Sequence, residues 1–213
     1  MIIARIAAVL VVAFLLGGIP VGLILVRVFA GKDIRTIGSG KTGATNVQRE
    51  LGWAGFGAAV ILDALKGIGA VLVAREITHN AWVEATAGVL AILGHTFSPY
   101  LGFRGGGRGM VTAMGAAFFM APILIALVPV FLIPVLISRY MSLGNIVSAL
   151  VAPFVMLVAA SQFGISWAYF AYVTVGSVLI LVNHKDNIER IFAGTERKIG
   201  DKTTLRTPVP TSK

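Results

Sequence analysis

Apolar residues run in long unbroken stretches along the chain, at about residues 2–30, 53–74, 82–101, 110–137, 143–160 and 165–182. Roughly 20 apolar residues suffice for one helical crossing of a bilayer, so these stretches predict membrane helices. The first carries one cation near its start, Arg5, and is too long for a signal-peptide core, so it is expected in the mature protein. The fourth holds Pro122, Pro129 and Pro134, which predicts either one tilted helix or two short ones parted near Ala121-Pro122. No linker or internal repeat divides the chain. One domain is expected over residues 1–200, with a loose cytoplasmic tail over 201–213, where Pro208 and Pro210 fall among polar residues.

The positions of the cations choose between the two readings of the fourth stretch. With two crossings there, one side of the membrane collects Arg27, Lys32, Arg35, Lys41, Arg49, Arg104, Arg108, Arg139 and the basic tail, while the other keeps Arg5 and Arg75. Cytoplasmic loops carry the excess of Lys and Arg. The expected fold is therefore an all-α integral membrane bundle of seven transmembrane helices, with the N-terminus outside and the C-terminus in the cytoplasm.

Composition agrees: 57% of the 213 residues are hydrophobic, 13% are charged, and the mean hydropathy is +0.89. Such a chain has too little polar surface for water. The absence of cysteine excludes disulfides and thiolate chemistry. The formal charge of +9 sits in loops between apolar stretches, which points to anionic lipid and phosphorylated substrates and away from nucleic acid. No obligate protein partner is evident.

Every unusual polar segment then falls on one face: residues 31–50, 102–109, 139–142 and 183–200. In the first, Gly38, Gly40 and Gly43 are free to adopt positive φ and expose successive N–H groups to an anion. Ser39, Thr42 and Thr45 add hydroxyls, Asn46 an amide, and Arg49 a guanidinium one turn after Thr45; an ordinary glycine turn is the plainer alternative. Gly40-Lys41-Thr42 imitates the end of a nucleotide-binding loop, but Arg35 stands where its first glycine belongs. The second segment joins Gly105 and Gly106 to Arg104 and Arg108, a second anion site. His95, just before it, reads as a hydrogen-bonded helix-end histidine or as a catalyst. Ser142 either caps the sixth crossing or touches substrate. His184 and Asn187, three apart, share a face of an amphipathic helix, whereas His184 and Glu189, five apart, do not and form no dyad. Asp63 and Lys66, three apart inside the second helix, are expected to pair, with direct contact to substrate as the alternative. The three histidines lie apart with no carboxylate cluster, so no metal site is expected.

Taken in order, Gly38-Ser-Gly, Gly43-Ala-Thr-Asn-Val-x-Arg49-x-x-Gly52, Asp63-x-x-Lys66-Gly67, Gly94-His95-x-Phe97, Phe103-Arg-Gly-Gly, Arg108-Gly, Tyr140-x-Ser142-Leu and His184-x-x-Asn187-Ile-x-Arg190 closely resemble the PlsY family. These are bacterial membrane acyl-phosphate:glycerol-3-phosphate acyltransferases. The match covers nearly the whole chain, with Lys41 replacing the family's usual asparagine and one extra glycine in the run before Arg108. The resemblance implies seven helices in the bacterial cytoplasmic membrane, with the site on the cytoplasmic face. It implies transfer of a fatty acyl group from acyl phosphate to the 1-hydroxyl of glycerol 3-phosphate, giving lysophosphatidic acid and phosphate for phospholipid synthesis, without cofactor or metal. On that footing Gly38, Ser39, Gly40, Gly43, Thr45, Gly105, Gly106, Ser142 and Asn187 are expected to hold the donor phosphate. Arg49, Arg108 and His184 are expected to bind glycerol 3-phosphate, with Asn46, Asp63, Lys66 and His95 in support. No side chain is assigned as base, His184 being the rival candidate to the substrate phosphate. The alternative is a transporter of lipid or a small anion, although the paired repeats such a protein uses are not visible.

Overall fold

The computed structural model describes residues 1–201 and is helical throughout. Helices α1 (Ile2–Gly18), α2 (Val21–Ala30), α3 (Ala44–Thr78), α4 (Ala81–Thr96) and α5 (Met110–Met120) are followed by α6 (Leu127–Ser138), α7 (Met141–Gln162), α8 (Trp167–Asn183) and α9 (Lys185–Phe192). Short 3₁₀ turns cover Ile34–Thr36, Pro99–Leu101 and Pro122–Ala126. Among the described residues, Ile2–Ala30, Ala44–Thr78 and Met141–Gln162 are long and apolar enough to cross a membrane. A fourth span qualifies if α8 and α9, bent by 56°, are taken together.

Proline sets the breaks. Pro20 has no N–H and turns Ile19 out of the helical region (ψ 118°), so the first apolar stretch is two helices meeting at residues 19–20. The Ile19 carbonyl accepts from the Val21 amide at 2.9 Å and from Lys66 Nζ at 2.9 Å. In the fourth stretch α5 stops at Ala121 and Pro122 opens a 3₁₀ turn before α6. The expected parting is there. At 11 and 12 residues each piece is only about 17–18 Å long, against a hydrocarbon core of about 30 Å.

Lipid supplies no hydrophobic force between helices, so close backbone approach must hold them together. Glycines allow it. α1 packs on α4, where a Cβ at Gly17 would land on the Ala91 backbone and one at Gly94 on the Phe14 carbonyl. α3 packs on α5 in the same way, Gly67 facing the Thr112 carbonyl and Gly115 the Ala64 carbonyl. The larger side chains Val71, Ile92, Met156, Tyr172 and Ile180 fill the centre.

Candidate active site

Four loop or helix-end segments meet at one cavity of about 990 Å³. Its polar end is lined by Gly38–Lys41, Gly43, Thr45, Asn46, Arg49, Gly105, Arg108, Ser142, Asn145, His184, Asn187, Arg190 and Glu196. Its other wall is apolar: Phe56, Val60, Met114, Phe118, Phe119 and Phe131.

The first loop is organised from within. Asn46, only 2% exposed, directs its Nδ2 at the carbonyls of Ile34, Ile37 and Lys41 (3.1–3.2 Å), and its Oδ1 accepts from Ser39 N at 3.3 Å. Gly38 (φ 54°) must be glycine, because a Cβ there would land on Asn46 Oδ1. The Gly40 amide donates to Ile37 O at 2.9 Å and the Lys41 amide to Ser39 Oγ at 3.4 Å. The Ser39, Gly40 and Lys41 amides thus bond within the loop itself. Donors remain at the start of α3: the Asn46 and Val47 amides turn back to Gly43 O, the Ala44 and Thr45 amides do not, and Thr45 adds its hydroxyl. Gly52 (φ 69°) kinks α3 just beyond, setting the turns that carry Thr45 and Arg49 off from the rest of the helix. At the loop's outer edge Arg35 forks onto Asp33, and that hydrogen-bonded guanidinium holds the Asp33 carboxyl below its ordinary range.

The second loop is tied at both ends. Ser98 Oγ donates to Gly18 O at 2.6 Å and Asn183 Nδ2 to Thr96 Oγ1 at 2.9 Å and Arg108 O at 3.3 Å. Gly105 lines the cavity; Gly106 does not. A Cβ at Gly106 would strike the His95 and Thr96 carbonyls, so this glycine allows close packing on the end of α4. Arg108 lines the cavity, with its Nε buried and without a partner. Burial, and then the like charge of Arg190, push its pKa down to about 10. It stays a cation at neutral pH, short of an anion.

On the third side Glu196, to which the sequence reading gave no role, gathers three donors. Its Oε1 accepts from Ser142 Oγ (2.8 Å) and Asn187 Nδ2 (2.7 Å), and its Oε2 from Arg190 Nε (2.8 Å). The only sequence signal for it was a lone carboxylate between Arg190 and Arg197 in a basic run. His184 is held as one tautomer: Nδ1–H donates to Ile180 O at 2.7 Å, and Nε2 accepts from Asn145 Nδ2 at 3.3 Å.

Below the loops, Lys66 Nζ lies 2.8 Å from Asp63 Oδ1 and 3.0 Å from His95 Nδ1. Asp63 and His95 line the cavity and Lys66 stands behind them. An ammonium can only donate, so His95 Nδ1 is the acceptor and carries no free lone pair for base chemistry.

The fold and cavity together define a membrane-embedded helical protein with a cationic, donor-rich site opening onto an apolar wall, a class suited to molecules with a phosphate head and a lipid tail. Comparison with known proteins makes this particular. The family model for glycerol-3-phosphate acyltransferase matches residues 7–194, and the chain belongs to that family. Glycerol-3-phosphate acyltransferase 2 of Moorella thermoacetica is 42% identical over 91% of this chain and 97% of its own, and the Synechococcus sp. glycerol-3-phosphate acyltransferase 39% over 91% and 94%. Crystal structures of PlsY, an integral membrane glycerol 3-phosphate acyltransferase, are similar in fold. The glycerol 3-phosphate form has a TM-score of 0.84 at 33% identity over 92% of this chain and 96% of that one. The lysophosphatidic acid form has a TM-score of 0.82 at 31% identity over 92% and 95%.

Proposed function

We propose that this chain transfers a fatty acyl group from acyl phosphate to the 1-hydroxyl of glycerol 3-phosphate, releasing lysophosphatidic acid and inorganic phosphate. The observation that carries the reading is the joined cavity: Arg49, Arg108 and the α3 start at one end suit two phosphates, and the wall of Phe56, Phe118, Phe119 and Phe131 suits an acyl chain. The family's named relatives and the two substrate- and product-named forms of PlsY support the same acceptor and product.

The start of α3, with Thr45 and Gly105, holds the donor phosphate, and Arg49 and Arg108 hold the phosphate of the acceptor. The acceptor hydroxyl oxygen attacks the acyl carbonyl carbon, the bond from that carbon to the phosphate oxygen breaks, and the departing phosphate takes the hydroxyl proton. Both histidines near the cavity already have their lone pairs engaged, by Lys66 and Asn145, which favours the phosphate over a side-chain base. Positioning two substrates together can itself remove roughly 7–11 kcal/mol of barrier.

Seven crossings with the site in the cytoplasm are part of the proposal. Residues 38–49, 95–109, 142–145 and 184–196 line one cavity, which favours α3–α4, α5–α6 and α7–α8 as three out-and-back pairs and leaves α1–α2 as the odd crossing. The cations gathered with the site favour the cytoplasmic side. Purified protein given acyl phosphate and glycerol 3-phosphate is expected to release phosphate and lysophosphatidic acid; consumption of neither refutes the activity. Cysteines at the exposed positions Arg104 and Lys198 are expected to resist an impermeant thiol reagent added to intact cells, and one at Glu76 to react. Labelling of Lys198→Cys from outside refutes the topology.

A further inference from the structure

Glu196 decides what the Ser142–Asn187 corner of the cavity can recognise. A carboxylate has only acceptors, so the atom of Asn187 that meets it at 2.7 Å is the NH₂ group, and the amide is locked with Oδ1 turned away from Glu196. That Oδ1 is buried with no hydrogen-bond partner. Ser142 has a single hydroxyl hydrogen, and Glu196 takes it at 2.8 Å, leaving lone pairs. Arg190 Nε on Oε2 fixes the carboxylate in turn. With the Ser142 hydrogen engaged and Asn187 Oδ1 left over, the corner presents two acceptors matched to a hydroxyl.

Resting on the acceptor assigned above, we infer that Glu196 is a positioning residue that turns Asn187 and Ser142 into acceptors for the 2-hydroxyl of glycerol 3-phosphate, not ligands of the donor phosphate. The 2-hydroxyl is chosen over the reacting one because it keeps its hydrogen through the reaction and so stays bonded to a buried acceptor from substrate to product. Its recognition then sets which end of the glycerol meets the acyl carbonyl. Glu196 touches no reacting atom; it acts through the two side chains it holds.

The test is binding of glycerol 3-phosphate and of 3-hydroxypropyl phosphate, which lacks only the 2-hydroxyl, to full-length protein in detergent by calorimetry. Thermal melting checks the fold of each variant. The parent chain is expected to prefer glycerol 3-phosphate about tenfold or more, since the analogue leaves a buried acceptor unpaired. Glu196→Gln and Asn187→Ala are each expected to bring that preference to within about twofold. A purely structural glutamate would lower both affinities together and leave their ratio unmoved, which overturns the inference. So does a fall in the KM for acyl phosphate in Glu196→Gln, because the carboxylate would then be occupying a phosphate subsite. If Glu196→Gln does not fold, Arg190→Gln, which frees the same carboxylate, must narrow the preference; an unchanged ratio there also overturns the inference. Turnover with acyl phosphate, measured alongside, reports separately on the proposed reaction, because the binding ratio needs no donor.

Discussion

The two ends of the helical bundle both bury charge, and they bury it differently. At the end where α3 gives way to α4, Arg75 Nε and Nη2 meet Glu84 Oε2 at 3.0 and 2.8 Å, Tyr169 OH donates to the same oxygen at 2.8 Å, and the guanidinium lies 4.5 Å from the Phe119 ring centre. Among the described residues, none of the cluster's side-chain nitrogens or oxygens is buried without a partner. At the loop end Arg108 Nε and Asn187 Oδ1 are both left unpaired. Unpaired buried polar atoms cost about 1–3 kcal/mol each, so a fold keeps them where a ligand completes the set. The closed cluster fastens helices, and the open one suits the proposed site.

Substitution at the closed end gives the largest effect expected here. Glu84→Ala strands the Arg75 guanidinium and the Tyr169 hydroxyl, and removing one partner of a buried pair costs about 3 kcal/mol, with Arg75 partly exposed. Chemical or thermal unfolding in detergent is expected to show that loss while the KM for glycerol 3-phosphate holds. A raised KM at unchanged stability would erase the contrast between the ends.

Arg108→Ala is the converse. It removes a charged donor worth roughly 1.5–3 kcal/mol to a bound phosphate, so the KM for glycerol 3-phosphate is expected to rise at least about tenfold, with the melting temperature unchanged or higher and the KM for acyl phosphate little moved. Equal increases in both constants would put Arg108 between the two substrates.

Asn46→Ala lies between these cases. The carbonyls of Ile34, Ile37 and Lys41 lose their common donor, and the loop before α3 loosens at a cost of about 1 kcal/mol. Turnover is expected to fall more than either KM rises, as measured by steady-state kinetics at saturating substrates. A selective increase in the KM for acyl phosphate would make Asn46 a ligand instead of a brace.

The smallest effect expected is that of chelation. Among the described residues no three His, Asp or Glu side chains gather as metal ligands. EDTA is expected to leave turnover within error, and loss restored by one divalent ion would reveal a metal at the open end.

Much of this arrangement was legible in the sequence because glycine, proline and isolated charge carry local meaning. The parting at Ala121-Pro122 follows from a missing N–H, and the segments around Gly38, Gly105, Ser142 and Asn187 drew attention as polar breaks in apolar sequence. What escaped was pairwise. Gly105 and Gly106 are identical as letters, yet one lines the cavity and the other packs under it. Asn46 looked like a ligand because an amide's partners are set by the folded loop. Glu196 stood unnoticed in a run of cations, since 54 residues separate it from Ser142 and only the bundle closes that gap. Pro20 was missed as a break because an apolar stretch reads as continuous through it.

That break also bears on how the chain is made. Lys66 is a cation inside a membrane helix, and inserting an unpaired one costs about 2.5–3.5 kcal/mol. One of its acceptors, Asp63, arrives on the same helical turn; another, the Ile19 carbonyl at the Pro20 break, leaves the ribosome 47 residues earlier. By the time the lysine reaches the bilayer, its resting place has already been laid down, so the order of synthesis matches the order in which charge has to be sheltered.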